Sequence, residues 1–236
     1  MSELLKNALK KVELTYDDSI INKFDTYSTL LKEWNEKVNL TSIVEDNEIV
    51  LKHFIDSVIC TRYFDFNSKS IIDVGTGAGF PGLPIKIMNE SVKLTLLDSL
   101  QKRINFLETV CKETKINNVE MIHGRAEDFG KDKSYREKFD FAVSRAVASL
   151  PALAEYCLPF VKVGGKFICF KGPDPKEEIL TSEKAIQSLG GEIDDSMGYI
   201  LPDTDIMHTL IIIKKIQRTP TQFPRKAGTP LKNPIK

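Results

Sequence analysis

Ser70-Ile-Ile-Asp73-Val-Gly75-Thr-Gly77-Ala-Gly79-Phe80-Pro-Gly82 is a short apolar run that passes straight into four glycines and then into a helical stretch. Glycine tolerates positive φ and lets backbone approach a ligand, so the stretch reads as a nucleotide-type loop at the carboxyl edge of a sheet rather than a plain turn. Gly77-x-Gly79-x-x-Gly82 formally fits the dinucleotide fingerprint, but there the first glycine leaves the strand directly, and here Gly75 does so. Asp73, just before the loop, would repel a pyrophosphate and suits an amine or sulfonium cation instead. No Gly-Lys-Ser/Thr follows, which argues against an ATPase loop.

Downstream of the loop, short apolar runs alternate with longer amphipathic stretches. Strands are predicted over 70–74, 93–98, 119–123, 139–144, 166–171 and 209–216, with helices over 83–88, 101–115, 150–161 and 175–189. Such alternation requires crossover connections and hence a mostly parallel sheet covered on both faces. Glycine pairs at 164–165 and 190–191 are expected to end the last two helices. Residues 199–201 and 209–216 leave no room for a helix between them, so the sheet should close with an antiparallel terminal strand. Each strand end carries polar groups to one edge: Asp98 after the second, His123 to Asp128 after the third, Ser144-Arg145 after the fourth.

Upstream, residues 1–69 form an N-terminal helical extension, with apolar residues at helical spacing such as Tyr27, Leu30, Leu31, Trp34 and Val38. Asp46-Asn47 supplies acceptors for a helix start, and 39–42 reads as a break. His53 and Asp56, three apart on a predicted helix, could meet on one face, either as a buried pair fixing the N-terminal helices to the sheet or in contact with a substrate; Trp34 is assigned to the core, and His123 and His208, in or beside strands, to structural roles. Residues 70–216 form the catalytic α/β domain, and 217–236, with four prolines among basic residues, reads as an extended tail without a core element.

Lys and Arg total 33, as do Asp and Glu, but from Lys214 onward there are seven basic residues and no acidic one. The body is therefore acidic and the tail basic, which directs any nucleic-acid contact to Arg225 and Lys226. Four scattered cysteines, without a CxxC pair, suggest buried thiols rather than disulfides or a metal site. No apolar run approaches the roughly 20 residues of a membrane span, and the N-terminus is unlike a signal peptide, so a cytoplasmic protein with no membrane partner is expected. Acidic self-repulsion favours a monomer.

The order acidic-GxGxG, Asp98 at the end of strand two and Ala126-Glu127-Asp128 after strand three resembles a class I S-adenosylmethionine-dependent methyltransferase. Asn39-Leu40-Thr41, His53-Phe-Ile-Asp56-Ser57, IDVGTGAGFPGLP (72–84), LLDSLQKRINFL (96–107), SRAVASL (144–150) and FPRKAGTP (223–230) further resemble the bacterial guanine-N7 methyltransferases of small-subunit (16S) ribosomal RNA, the glucose-inhibited division protein B family. The resemblance covers nearly the whole chain. It implies a Rossmann-like sheet, S-adenosylmethionine as cofactor, ribosomal RNA or a ribosomal subunit as partner, and cofactor contacts at Gly75, Phe80, Ala126, Glu127 and Arg145. The broader class implies Asp98 as the ribose partner, while Asp73, Gly77 and Gly79 complete the loop read from the residues themselves. Arg145 is the candidate catalytic residue, to hold cofactor or a phosphate, with a surface pair to Glu127 or Asp128 as the bland alternative.

The residues alone narrow the chemistry. Exocyclic amine methylation commonly uses an Asn/Asp-Pro-Pro-aromatic turn after strand four, where this chain has Ser144-Arg145-Ala146-Val147. Pyrimidine-carbon methylation needs a cysteine nucleophile, and Cys157 sits on an apolar helix face. Guanine N7 carries no proton, so its methylation requires alignment but no general base. A methyltransferase for another RNA or a small molecule, and a non-catalytic assembly factor, remain open alternatives at this level.

Overall fold

The computed structural model describes residues 1–145 and 148–236. Its centre is a sheet of seven strands: β1 (Ser70–Val74), β2 (Lys93–Asp98), β3 (Val119–His123), β4 (Phe139–Ser144), β5 (Val161–Lys171), β6 (Gly191–Ile200) and β7 (Met207–Lys215). Their spatial order is β3-β2-β1-β4-β5-β7-β6. The first five are parallel, and β7 runs antiparallel between β5 and β6, the mixed edge that the sequence led us to expect. Adjacent residues face opposite ways along a strand, and Ile71, Val143, Ile168 and Ile212 enter one core cluster while Ile72, Ala142, Phe167 and Ile213 enter the other. Double burial explains why these strands read as continuous apolar runs.

The first cluster joins that sheet face to α1 (Ser2–Lys11), α2 (Asp18–Val38), α5 (Gly82–Met88) and α6 (Gln101–Glu113). Asp17 caps α2 by accepting Ile20 N at 2.8 Å, and Asn39, at φ 50°, ends it. Residues 46–62 are helical throughout, as α3 (Asp46–Glu48), a π-helical run Ile49–Ile55, α4 (Asp56–Val58) and a final 3₁₀ turn. Asp46 is not the cap expected of it; its carboxylate pairs with Lys32 at 2.6 Å.

The second cluster joins the other face to α8 (Leu150–Cys157) and α9 (Lys176–Ser188). Gly164-Gly165 does not end a helix, because α8 stops earlier, in a 3₁₀ turn over Leu158–Phe160. The pair lies inside β5, where Gly164 has φ 88° and a Cβ on Gly165 would fall 2.5 Å from Asp140 O of β4. Strand β6 extends well beyond the expected 199–201, since its exposed Asp194, Asp195 and Ser196 on the sheet edge conceal the strand pattern.

The largest correction concerns residues 217–236, which are folded onto the body rather than extended. Phe223 is buried in the second cluster, and Arg136 donates to the carbonyls of Thr219 and Phe223 at 2.7 and 2.9 Å. Arg225 closes on Glu155 of α8 through its backbone N at 2.7 Å, Nε at 3.0 Å and Nη2 at 2.7 Å. A short α10 (Thr229–Lys232) follows. Proline and charge made this segment look solvated. The opposing signal was Glu155, a carboxylate inside an apolar helix that is fully buried and so requires a cation.

Candidate active site

The parallel register brings the carboxyl ends of β1 to β4 to one edge, with Asp73 opposite Leu96 and Val143, and Asp98 opposite His123. Gly75, Gly77 and Gly79 all have positive φ (71, 62 and 99°), so the loop adopts the backbone that its composition anticipated. It is pinned from two sides. Tyr27 of α2 donates its hydroxyl to Ala78 O, and Gly77 N donates to Asp98 Oδ2 at 2.9 Å. A Cβ on Gly79 would strike the Tyr27 hydroxyl, whereas one on Gly77 would meet nothing within 4 Å.

Asp73 lies beneath the loop, fully buried. Its Oδ2 accepts Thr76 Oγ1 at 2.7 Å and Gly82 N at 2.8 Å, so it builds the loop rather than facing a ligand openly. Its Oδ1 is buried without a hydrogen-bond partner among the described residues, and burial pushes the carboxyl up to about 7 against the pull of those two bonds. Asp98, 2% exposed, is more heavily engaged than its position in sequence suggests. Besides Gly77 it accepts Leu100 N at 2.9 Å, and Arg103 Nη1 stands 3.2 Å from Oδ2. A carboxylate offers about four lone-pair sites, so ribose hydroxyls can be accepted where Arg103 now leans.

Two cavities meet at Gly75. One, of about 250 Å³, is lined by Leu97, Asp98, Ala126, Glu127, Leu153 and Tyr156, with Gly228 and Leu231 completing it. The other, of about 760 Å³, runs over Thr76, Gly77 and Phe80 to His53, Arg145 and His208. Ala126 and Glu127, at the start of α7 (Ala126–Phe129), line the smaller cavity, and Glu127 Oε1 accepts Gly228 N at 2.7 Å. His123 stays apart, against Ser99 O at 3.1 Å. Trp34 packs on Phe106, their centroids 5.7 Å apart.

His53 and Asp56 do not pair with each other; both meet Arg145. Arg145 Nη1 donates to Asp56 Oδ2 at 2.7 Å and to Lys52 O at 2.8 Å, and Nη2 lies 3.2 Å from His53 Nδ1. The π-helical winding contributes directly, because Asp56 N–H reaches back to Leu51 O and does not claim Lys52 O. Arg145 is therefore held by the N-terminal helices and not by Glu127 or Asp128. Among the described residues three of its five N–H donors are used. Phe80, 7% exposed, stacks on Tyr27 and His53 with centroids 5.4 and 4.4 Å away, and the Arg145 guanidinium carbon lies 5.1 Å from its ring centre.

His208, read from sequence as structural, is part of this site: its Nδ1 is 2.6 Å from Asp56 Oδ1, which also accepts the Tyr199 hydroxyl at 2.7 Å. Burial would raise Asp56, but the hydrogen bond from His208 and the charge of Arg145 outweigh it and hold the carboxyl below its usual range. His53 goes the other way, lowered to about 3 by burial and by the neighbouring Arg145. No local sequence signal links Asp56 to Tyr199 and His208, which lie on β6 and β7. All four cysteines are free and buried. Among the described residues no group of three or more His, Cys, Asp or Glu could hold a metal ion, and no helix is long and apolar enough to cross a membrane.

A parallel sheet closed by an inserted antiparallel strand, with a glycine loop after β1 and an aspartate ending β2, defines a class I S-adenosylmethionine-dependent methyltransferase. TYW2 of M. jannaschii, solved in complex with AdoMet, shares the fold with a TM-score of 0.54 at 14% identity over 74% of this chain and 80% of its own. A SAM-dependent methyltransferase from Aquifex aeolicus gives 0.54 at 16% identity over 74% and 96%. The model of the GidB family, rRNA small subunit methyltransferase G, matches residues 20–199, and the chain belongs to that family. The ribosomal RNA small subunit methyltransferase G of Alkaliphilus oremlandii is 53% identical over 100% of this chain and 99% of its own length, and that of Clostridium botulinum (strain 657) 51% over 99% and 98%.

The residues present fit the cofactor of this class. The open space at Gly77 and the positive φ of Gly75, which borders both cavities, leave a backbone cradle, and Asp98 at the smaller cavity can accept hydroxyls. Bound S-adenosylmethionine supplies an electrophilic methyl group on a sulfonium.

Proposed function

We propose that this chain methylates N7 of a guanine in small-subunit ribosomal RNA. One observation supports the N7 reading: Asp56, Asp98 and His53, which converge on the edge, are committed to the protein itself. Asp56 accepts three bonds, Asp98 accepts Gly77, Leu100 and Arg103, and neutral His53 sits between Thr41 Oγ1 at 2.9 Å and Arg145. These three side chains hold and orient rather than take a proton, and N7 has no proton to remove. Ribosomal RNA as substrate follows from the name that the relatives carry.

Within this reading, Asp98 takes the ribose, the cradle of Gly75, Gly77 and Gly79 takes the amino-acid half, and Ala126 and Glu127 border the adenine. Arg145 is a fixed positive charge beside the reacting atoms, there to hold cofactor or RNA. The exposed Lys226 contacts RNA phosphates; Arg225 does not share that role, since Glu155 holds it. The test is methyl transfer from labelled S-adenosylmethionine to small subunits lacking the modification, followed by digestion and mass spectrometry. Label in 7-methylguanosine is expected; label in another nucleoside, or none, overturns the reading.

A further inference from the structure

The smaller cavity has a wall that β1 to β4 do not supply. Gly228, bonded to Glu127, and Leu231, both from the C-terminal segment, line it together with Asp98. We propose that residues 219–236 are a working wall of the S-adenosylmethionine site, with Gly228 and Leu231 bordering the nucleoside half and the Glu155–Arg225 pair positioning them. The proposal rests on the assignment of this cavity to the cofactor.

Three observations converge. The first is the anchor: Glu155 is fully buried, and Arg225 meets both of its oxygens while also donating its backbone N–H. Lifting the segment would strand an unpaired carboxylate inside α8, which ties the segment's position to the body of the protein. The second is closure at the cavity itself, where Gly228, at φ 79°, directs its N–H to Glu127 Oε1 at 2.7 Å. The residue that the family resemblance implies for the cofactor is thereby bonded to the segment. The third is Leu231, an apolar side chain 58% exposed yet lining the cavity with Leu97, Leu153 and Tyr156. Those four surfaces suit the face of a purine, while Asp98 at the same cavity suits ribose hydroxyls. The nucleoside half therefore covers Leu231, and the segment contributes to holding it.

Calorimetric titration with S-adenosylhomocysteine and with 5′-methylthioadenosine tests this on the full chain, on Leu231→Ser, and on the chain ended after Ala227. That truncation keeps Phe223 and the Arg225–Glu155 pair but removes, besides Gly228 and Leu231, the buried Pro230, Ile235 on the second cluster and Asn233 O, which Arg225 Nη2 meets at 2.9 Å, so Leu231→Ser is the variant that isolates the wall. Both variants should bind both ligands at least fivefold more weakly, by the same factor for each, because the lost contact is to the shared nucleoside half. The ligand-free unfolding midpoint of Leu231→Ser should match that of the parent. Arg225→Ala should weaken both ligands as well, with partial rescue by Arg225→Lys. Affinities within twofold of the parent in both wall variants would overturn the proposal, as would a loss confined to S-adenosylhomocysteine. If the full chain binds neither ligand, the assignment of the cavity fails first and the wall with it.

Discussion

A carboxylate that accepts from an arginine, a histidine and a tyrosine cannot lose its charge without stranding donors, and Asp56 is in that position. Asp56→Asn should destabilise the protein by about 2–4 kcal/mol in urea unfolding, because an amide places a second donor against one of those partners. A loss below about 1 kcal/mol would show that the cluster is loosely held. His53 gives a pH signature. Its folded pKa of about 3 lies below the ordinary 6.5, so the unfolded chain takes up its proton first on acidification. The stabilisation is fully present above about 6.5 and is lost as pH falls toward about 3. Asp73, raised to about 7, works in the opposite direction over part of that window, since its folded form is the one that holds the proton. The comparison must therefore be with His53→Gln, against which the parent should lose about 1–2 kcal/mol more between about pH 7 and 5. Parallel pH curves for the two proteins would place His53 in an environment far more solvated than this one.

At the scale of elements, the glycine loop is the feature whose sequence and structure agree most closely, and it yields a direct test. Gly77→Val should abolish the thermal stabilisation given by S-adenosylhomocysteine, because a branched residue resists φ 62° and fills space that is open in the protein alone. A shift equal to the parent's would reduce the loop to a turn. Strands β1 to β4 were legible to the residue because β1, β2 and β4 are buried along most of their length and read as apolar runs, while β3, the edge strand with Glu120 and His123 exposed, still alternates them with Val119, Met121 and Ile122. What escaped was set by distant partners. Tyr199 and His208 acquire their role only when β6 and β7 pack beside Asp56, and the Gly164-Gly165 pair belongs to a strand because Gly165 must pass close to Asp140 O. Local pattern cannot carry such information. The π-helical winding over Ile49–Ile55 is of the same kind: Asp56 N–H bonds Leu51 O and not Lys52 O, and Lys52 O accepts from Arg145 on another element.

At the scale of the whole molecule, charge is segregated along the chain, with seven basic residues from Lys214 onward and an acidic excess before it. Folding divides those seven unequally. Lys215 is fully buried, bonded to Leu158 O at 2.6 Å, and Arg225 is paired with Glu155, whereas Arg218, Lys226, Lys232 and Lys236 remain exposed. Neutralising Arg225 and Lys226 together would therefore mix two effects, one on the wall of the cofactor cavity and one on the surface beside it. Separated, they should behave differently. If the exposed lysines neutralise phosphates, RNA binding releases counterions, and the logarithm of affinity falls with the logarithm of salt by about 0.7–0.9 per phosphate contacted. Lys226→Gln should lower that slope by about one such increment, and Lys226→Gln with Lys232→Gln by about two, while affinity for S-adenosylhomocysteine stays unchanged. Arg225→Ala should instead weaken the cofactor first and alter RNA binding only as far as the segment shifts. Filter binding of small-subunit RNA across a salt series, run beside calorimetry on the same preparations, reads both quantities. Identical salt slopes for Lys226→Gln, the double variant and the parent would remove the C-terminal segment from the RNA surface, leaving the N-terminal region, which borders the larger cavity through Thr41 of the loop after α2 and through Lys52 and His53, as the face presented to RNA.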